Sequence, residues 1–337
     1  MNFKFLLFLI LPLSLSAQLI KGTVYDAVTN ETLASVNVYF SGTSKGTITD
    51  FDGNFEIPYY DNSQSVFTIS LLGYVSQSFN DPTHTDFSNI RLQPKVGELP
   101  AVFLNPDPWS REKKEQYFIK QFLGTTLIAK QCTILNLDKI KMRFNPSTGK
   151  MIAFAQEPVL IENRDLNYLV TYDLADFEIT FKAYRSNPLE DPSYTMYSSF
   201  FVGSAFFKEL DENKADKGWV KRHRKRAYKV SEVRLFKLMA SGEFEKEGYK
   251  LFFKRKKVSF DKHVRSRKRG NRYVLDFRET QYDIMDSKNF QSTIYLEESK
   301  LIVSESGNVI NYPVLKTGGF VSYLKVSGML PLDYELK

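Results

Sequence analysis

Between Gly22 and Phe55 the chain reads GTVYDAVTNETLASVNVYFSGTSKGTITDFDGNF, and this stretch constrains the fold more than any other. Apolar residues alternate at Val36, Val38 and Phe40, then recur at Ile48, Phe55 and Ile57. Asn30, Gly42, Gly46 and Asp52-Gly53 interrupt them with residues that accept tight turns. Period-two alternation between turn signals specifies short antiparallel strands, each with one face buried, closing a small sandwich. Asp52-Gly53 predicts a tight turn with positive φ at Gly53, and Asp50 is placed to accept hydrogen bonds from the turn amides. A calcium loop fits these residues less well. Counting from Asp50, glycine falls at the fourth position rather than the sixth, and Asp61 stands where a bidentate glutamate is needed.

The sandwich follows a signal-like N-terminus. Lys4, an apolar run from Phe5 to Leu13 and the small-residue stretch Ser14–Ala17 predict a secretory signal peptide over residues 1–17. That run is too short to span a bilayer, and no later segment reaches the ~20 apolar residues needed, so no transmembrane segment is expected in the mature chain. The expected location is the periplasm or the outer-membrane surface. Cys132 is the single cysteine, so no intramolecular disulfide can form and the fold rests on its apolar cores.

The predicted organisation is a sandwich over 18–95, a linker over 96–110 and a second domain over 111–337. Gly97, Pro100, Pro106 and Pro108 mark the linker, within which Leu99–Leu104 can add a strand or lie along the second domain. Ser110 is a predicted N-cap for a helix over 111–122, with Gly124 as its stop. A hairpin is expected around residues 145–150, and strands over 166–174, 177–184 and 194–201. A basic helical stretch over 216–239, broken near Ser231, follows. Further strands are expected over 249–260, 272–277, 292–297, 301–306 and 319–324. The second domain therefore reads as α+β, a mostly antiparallel sheet with two or three helices.

The GT-x-x-GT-x-T-D-x-D-G-x-F core within residues 19–94 resembles the carboxypeptidase regulatory-like domain of exported Bacteroidetes proteins. That resemblance implies a transthyretin-like sandwich of about seven strands and identifies no activity. In resembling proteins the sandwich often precedes the plug and barrel of a TonB-dependent receptor. The residues after the linker are too few here for 22 strands of ~10 residues plus loops. Phe122-Leu123-Gly124 with Ala129 and Cys132, the run from Ile161 to Tyr168, and the stretch from Trp219 to Tyr249 also resemble the region that follows the sandwich in uncharacterised proteins of that group. Where those proteins carry Gly and His-Phe-Leu-Arg, this chain has Val230 and Arg234-Leu235-Phe236-Lys237.

Catalytic constellations are hard to assemble. A zinc peptidase needs about three His or Glu ligands, whereas the chain has His84, His223 and His263 with no His-x-x-Glu or His-Glu-x-x-His spacing. No Gly-x-Ser-x-Gly elbow occurs, and Gly203-Ser204-Ala205 lacks the second glycine. Cys132, among Leu127, Ile128, Ile134 and Leu135, reads as a small buried hydrophobe. No cofactor is implied. An unrecognised hydrolase in the second domain would have to use Glu157, Glu162, Asp165 or Asp173, whose spacing defines no acid–base pair.

Charge is the feature left unexplained. Residues 214–272 hold 22 Lys and Arg against 6 Asp and Glu, in a chain whose net charge is +7. The candidate anion-binding residues are Lys221, Arg222, Arg224, Lys225, Arg226, Lys254, Arg255, Lys256, Lys257, Arg267, Lys268 and Arg269. With export expected, nucleic acid is a poor partner. The anions to expect are lipopolysaccharide, acidic glycan or an anionic lipid surface, with an outer-membrane protein as a further partner. The sequence reads as a non-enzymatic adaptor or binding module.

Overall fold

The computed structural model describes residues 18–59, 66–71, 73–79, 81–95, 106–185, 192–310 and 314–334. The signal-peptide reading and the Leu99–Leu104 strand lie outside them. The first unit has seven strands among the described residues: β1 (Leu19–Asp26), β2 (Asn37–Phe40), β3 (Gly46–Ile48), β4 (Asn54–Pro58), β5 (Phe67–Ser70), β6 (Gln77–Phe79) and β7 (Ile90–Leu92). They form two sheets, β4-β1-β7 and β3-β2-β5-β6. The strand pairs are antiparallel except β1–β7, which is parallel because the chain crosses over before returning. Val24, Val36, Val38, Phe40, Phe55, Ile57, Phe67 and Ile69 bury into one core, as alternation requires. Ile48 does not join them; it is 61% exposed on edge strand β3.

The turn before β4 is built by one carboxylate. Asp50 Oδ1 accepts the amides of Asp52 at 3.0 Å and Asn54 at 2.8 Å, and Gly53 takes φ 76°. Any Cβ at Gly53 would stand 2.7 Å from the Val24 carbonyl oxygen.

The second unit begins with α1 (Arg111–Phe122), capped by Ser110 Oγ, which accepts the Lys113 amide. Its stop residue Gly124 has φ 94°. A six-stranded sheet follows: β8 (Cys132–Ile134), β9 (Ile140–Asn145), β10 (Lys150–Ala155), β11 (Val159–Asn163), β12 (Tyr168–Tyr184) and β13 (Ser193–Glu209). The two runs expected over 166–184 are a single strand, β12, because a register shift between Leu174 and Asp176 absorbs the break in alternation. α1 lays Phe118 and Phe122 on Phe177, Tyr172 and Phe201.

α2 (Glu212–Ala215), α3 (Gly218–Lys229) and α4 (Glu232–Ser241) come next. Ser231 breaks the helical stretch and caps α4, its Oγ accepting the Arg234 amide. The remaining elements are β14 (Lys250–Phe253), β15 (Lys256–Val258), α5 (Phe260–His263), β16 (Val264–Arg269), β17 (Arg272–Phe277), β18 (Gln281–Met285), β19 (Gln291–Leu296), β20 (Lys300–Ser304) and β21 (Leu315–Gly319). They make sheets β15-β14-β18-β19-β21 and β16-β17-β20. α4 buries Leu235, Phe236, Met239 and Ala240 against them.

Two expectations fail here. The run over 249–260 is a hairpin ending in a short helix, not one strand; Lys254 and Arg255 turn it with φ of 49° and 65°. Residues 320–322 are a 3-10 turn, and the strand lies just upstream as β21. Beyond the linker the apolar residues divide between two cores, one on the six-stranded sheet and one around α4.

The sandwich docks on the edge of β13. Gly42 N–H donates to the Ala205 carbonyl, and Phe207 N–H donates to Thr43 O at 3.1 Å. Tyr39 stacks on Phe206 with ring centroids 4.9 Å apart, which explains why it is buried on the outer face of β2. The C-terminal segment closes the junction: Leu332 N–H donates to Gly42 O at 2.8 Å, and Asp333 accepts from the Ser44 amide and hydroxyl.

Candidate anion-binding surface

α3 has two unlike faces. Val220, Arg224 and Ala227, spaced i, i+4, i+7, are buried, while Arg222, Lys225, Arg226 and Lys229 are exposed. A helix repeating every 3.6 residues brings those four onto one outward stripe. Lys221 pairs with Asp216 at 2.8 Å. No ion pair forms at Arg222, Lys225 or Arg226 among the described residues.

Arg224 departs from the sequence reading. Its guanidinium holds Glu209 by two hydrogen bonds of 2.9 and 2.7 Å, donates to the Leu166 carbonyl at 2.8 Å, and lies 3.8 Å from the centre of the Tyr168 ring. Its side chain is only 9% exposed. It is a clamp between α3 and the sheet, not a surface cation, because the i+4 spacing from Val220 turns it inward. Beside it, Ser44, Tyr168, Glu209, Asp333 and Tyr334 join Lys221, Arg222 and Lys225 around a cleft of about 440 Å³. Sequence reasoning missed these non-basic residues. They come from the sandwich, the sheet and the C-terminal segment, so no local pattern marks them.

The other candidates lie on two hairpins. Lys254, Arg255, Lys256 and Lys257 are all exposed at the β14–β15 turn, and no ion pair engages them among the described residues. Lys254 Nζ sits 5.0 Å from the Phe253 ring centre. On the β16–β17 hairpin Arg267 pairs with Asp276, and Lys268 with Glu305 at 2.7 Å, which raises the Lys268 pKa; Arg269 is exposed. The basic residues thus occupy one helix and two hairpins in different sheets.

The catalytic alternatives remain apart. His84 meets Asp81 at 2.9 Å, and His263 Nδ1 lies 3.1 Å from the Tyr282 hydroxyl. His223 Nδ1 stands 2.9 Å from Asp165, out of line for a hydrogen bond. Among the described residues no three His, Cys, Asp or Glu side chains gather as metal ligands do. Of the candidate carboxylates, Glu157 accepts from Asn136, Glu162 pairs with Arg164, Asp165 faces His223, and Asp173 lies across β13 from the sandwich. Ser204, within Gly203-Ser204-Ala205, is mid-strand in β13 rather than on a nucleophile elbow.

Burial pushes the Cys132 thiol up to about 12, and its Sγ donates to the Ile128 carbonyl at 3.4 Å. A thiol held protonated is a weak nucleophile. At pH 8 the folded protein is expected to resist iodoacetamide and to react at Cys132 only after denaturation; alkylation at equal rates in both states would contradict this burial. Because the unfolded thiol ionises near 9 and the folded one near 12, this group's contribution to stability is intact below pH 9 and is lost as pH rises toward 12. Tyr39, Tyr168 and Tyr172, raised chiefly by burial, act in the same direction at still higher pH. Urea titrations from pH 8 to pH 11 are expected to show a falling midpoint, and a flat profile would contradict it.

Comparison with known proteins fits this architecture. Residues 20–103 match the family model of the CarboxypepD_reg-like domain. TonB-dependent receptor P3 of Formosa agariphila is 32% identical over 100 residues, covering 30% of this chain and 10% of the receptor. TonB-dependent receptor SusC of Bacteroides thetaiotaomicron is 40% identical over 81 residues, covering 22% of this chain and 8% of the receptor. The chain thus spans about a tenth of the length of the curated relatives it matches. Among the described residues no helix is long and apolar enough to cross a membrane. With its seven strands, the Asp50 turn and the family match over the same residues, the first unit of this chain is a carboxypeptidase regulatory-like domain.

Proposed function

We propose that this chain is a non-catalytic module of the cell envelope, exported to the periplasm or the outer-membrane surface, whose basic face docks on an anionic lipid surface. The observation that carries the reading is the stripe Arg222, Lys225, Arg226 and Lys229, held outward by the buried Arg224–Glu209 clamp. A helix fixed in this way keeps its cations directed at solvent. The Lys254–Lys257 turn adds four more exposed cations. Likeness of part of this chain to part of two TonB-dependent receptors supports the envelope location, and the regulatory, non-catalytic character of the first domain's type supports a binding role.

Each Lys or Arg near an anionic membrane contributes about 1 kcal/mol, so three of them contribute about a hundredfold in affinity. Co-sedimentation with phosphatidylglycerol vesicles at low ionic strength is the test. Joint replacement of Arg222, Lys225 and Arg226 by glutamine is expected to weaken binding about a hundredfold, and raised salt to weaken the parent protein likewise. Binding that ignores both changes would rule the reading out.

A further inference from the structure

Strand β13 is the outer strand of its sheet. It pairs with β12 from end to end, and its other backbone edge is used only at Ala205 and Phe207, by the sandwich residues Gly42 and Thr43, among the described residues. From Ser193 to Phe207 it contains no charged residue and no proline, in a chain whose composition is 25% charged. Met196, Tyr197, Phe200 and Val202 stand exposed along the unused part. Edge strands left in water are ordinarily blunted by charge, proline or cover. The opposite edge obeys that rule: β9 carries Lys141 and Arg143, and the Asp107 carboxylate accepts the Phe144 amide at 3.1 Å. From Ser193 to Ser204 β13 carries neither charge nor proline nor, among the described residues, cover, and its one irregularity there is the extra residue Tyr197 between the Thr180–Ser198 and Phe181–Met196 pairs.

We propose that the free edge of β13 pairs antiparallel with β13 of a second copy about a two-fold axis, joining two six-stranded sheets into one. The edge already accepts extended backbone from the sandwich two residues further on, so the new pairing continues an interface the fold itself uses. Charge selects the occupant. Each copy concentrates its positive charge in residues 214–272, so those faces repel their own kind, whereas two β13 edges meet on strands with no charged residue from Ser193 to Phe207. Antiparallel pairing of identical strands is isologous, each copy giving the hydrogen bonds it takes. At ~3.3 Å per residue the open segment from Ser193 to Ser204 offers about 40 Å of edge.

The test is light scattering coupled to gel filtration on the full chain at rising concentration, with Val202→Lys beside it. Val202 lies opposite Asp176 on β12, so a lysine there has a carboxylate at hand and the monomer is expected to fold with unchanged circular dichroism. The parent protein is expected to run at twice the monomer mass at micromolar concentration, and Val202→Lys to dissociate at least tenfold more readily. Hydrogen exchange at the amides of residues 198–204 should slow as the parent protein is concentrated, and should not do so in the variant. A parent protein that stays monomeric overturns the proposal. So does a dimer indifferent to Val202→Lys with concentration-independent exchange along β13.

Discussion

Replacing Arg224 by methionine is expected to lower the unfolding free energy by about 3 kcal/mol, a larger loss than at any other cation on α3. Breaking a buried ion pair by deleting one partner costs about 3–5 kcal/mol, because the remaining charge stays desolvated. The Glu209 side chain is 31% exposed, which places the expectation at the lower end of that range. The deletion also strands the Leu166 carbonyl and removes the guanidinium from the Tyr168 ring. Methionine keeps most of the apolar stem, so the loss reports the charged head rather than a cavity. Arg224→Lys should recover only part of it, since an ammonium cannot form the two-pronged bond to Glu209. Urea unfolding at neutral pH measures the effect, and a loss under about 1 kcal/mol would show an ordinary surface pair. Vesicle binding separates this role from recognition: with the fold held by excess stability, Arg224→Met should bind as the parent does, while replacement of its exposed neighbours should not.

Arg224 also shows where sequence reading stops. Charge counting treats the five Lys and Arg of residues 221–226 alike, yet one of them points inward because Val220 and Ala227 set the buried face of α3. The i, i+4, i+7 spacing was present in the sequence; its partner Glu209 was not legible, being fixed only by the β12–β13 register. The first unit was more transparent. Val36, Val38 and Phe40 alternate in one run and Phe55 and Ile57 in another, all five point into one core, and the Asp50 turn follows from local hydrogen bonding alone. Ser110 and Ser231 as helix starts were legible for the same reason, since capping is a short-range interaction. The Lys254–Arg255 turn was hidden because neither residue is a usual choice for positive φ. The junction cleft was hidden because Ser44 and Asp333 stand 289 residues apart. Tyr39 illustrates the same limit: alternation sends it to solvent, and only the docked Phe206 accounts for its burial.

Phe67→Ala is expected to cost the sandwich about 3–5 kcal/mol, the range for removing a buried aromatic ring from a close-packed core. Phe67 is fully buried and central to a ring cluster, with centroids 5.0 Å from Phe87, 5.2 Å from Phe40, 6.3 Å from Phe55 and 6.5 Å from Phe79. Those neighbours come from both sheets and from the loop before β7, so no single strand can shift to fill the space. Small domains hold about 5–15 kcal/mol in all, and with Cys132 as the single cysteine no disulfide limits the unfolded chain here. The substitution therefore removes a large share of what keeps this unit folded. Limited proteolysis should cut first within residues 20–92, leaving the six-stranded sheet protected, since Phe67 belongs to neither of the other two cores. Phe51→Ala is the matched control: its ring is 95% exposed on the turn before β4, and the change should stay within about 0.5 kcal/mol. A Phe67→Ala loss no larger than that of the control would mean that the two sheets do not depend on this cluster to stay together.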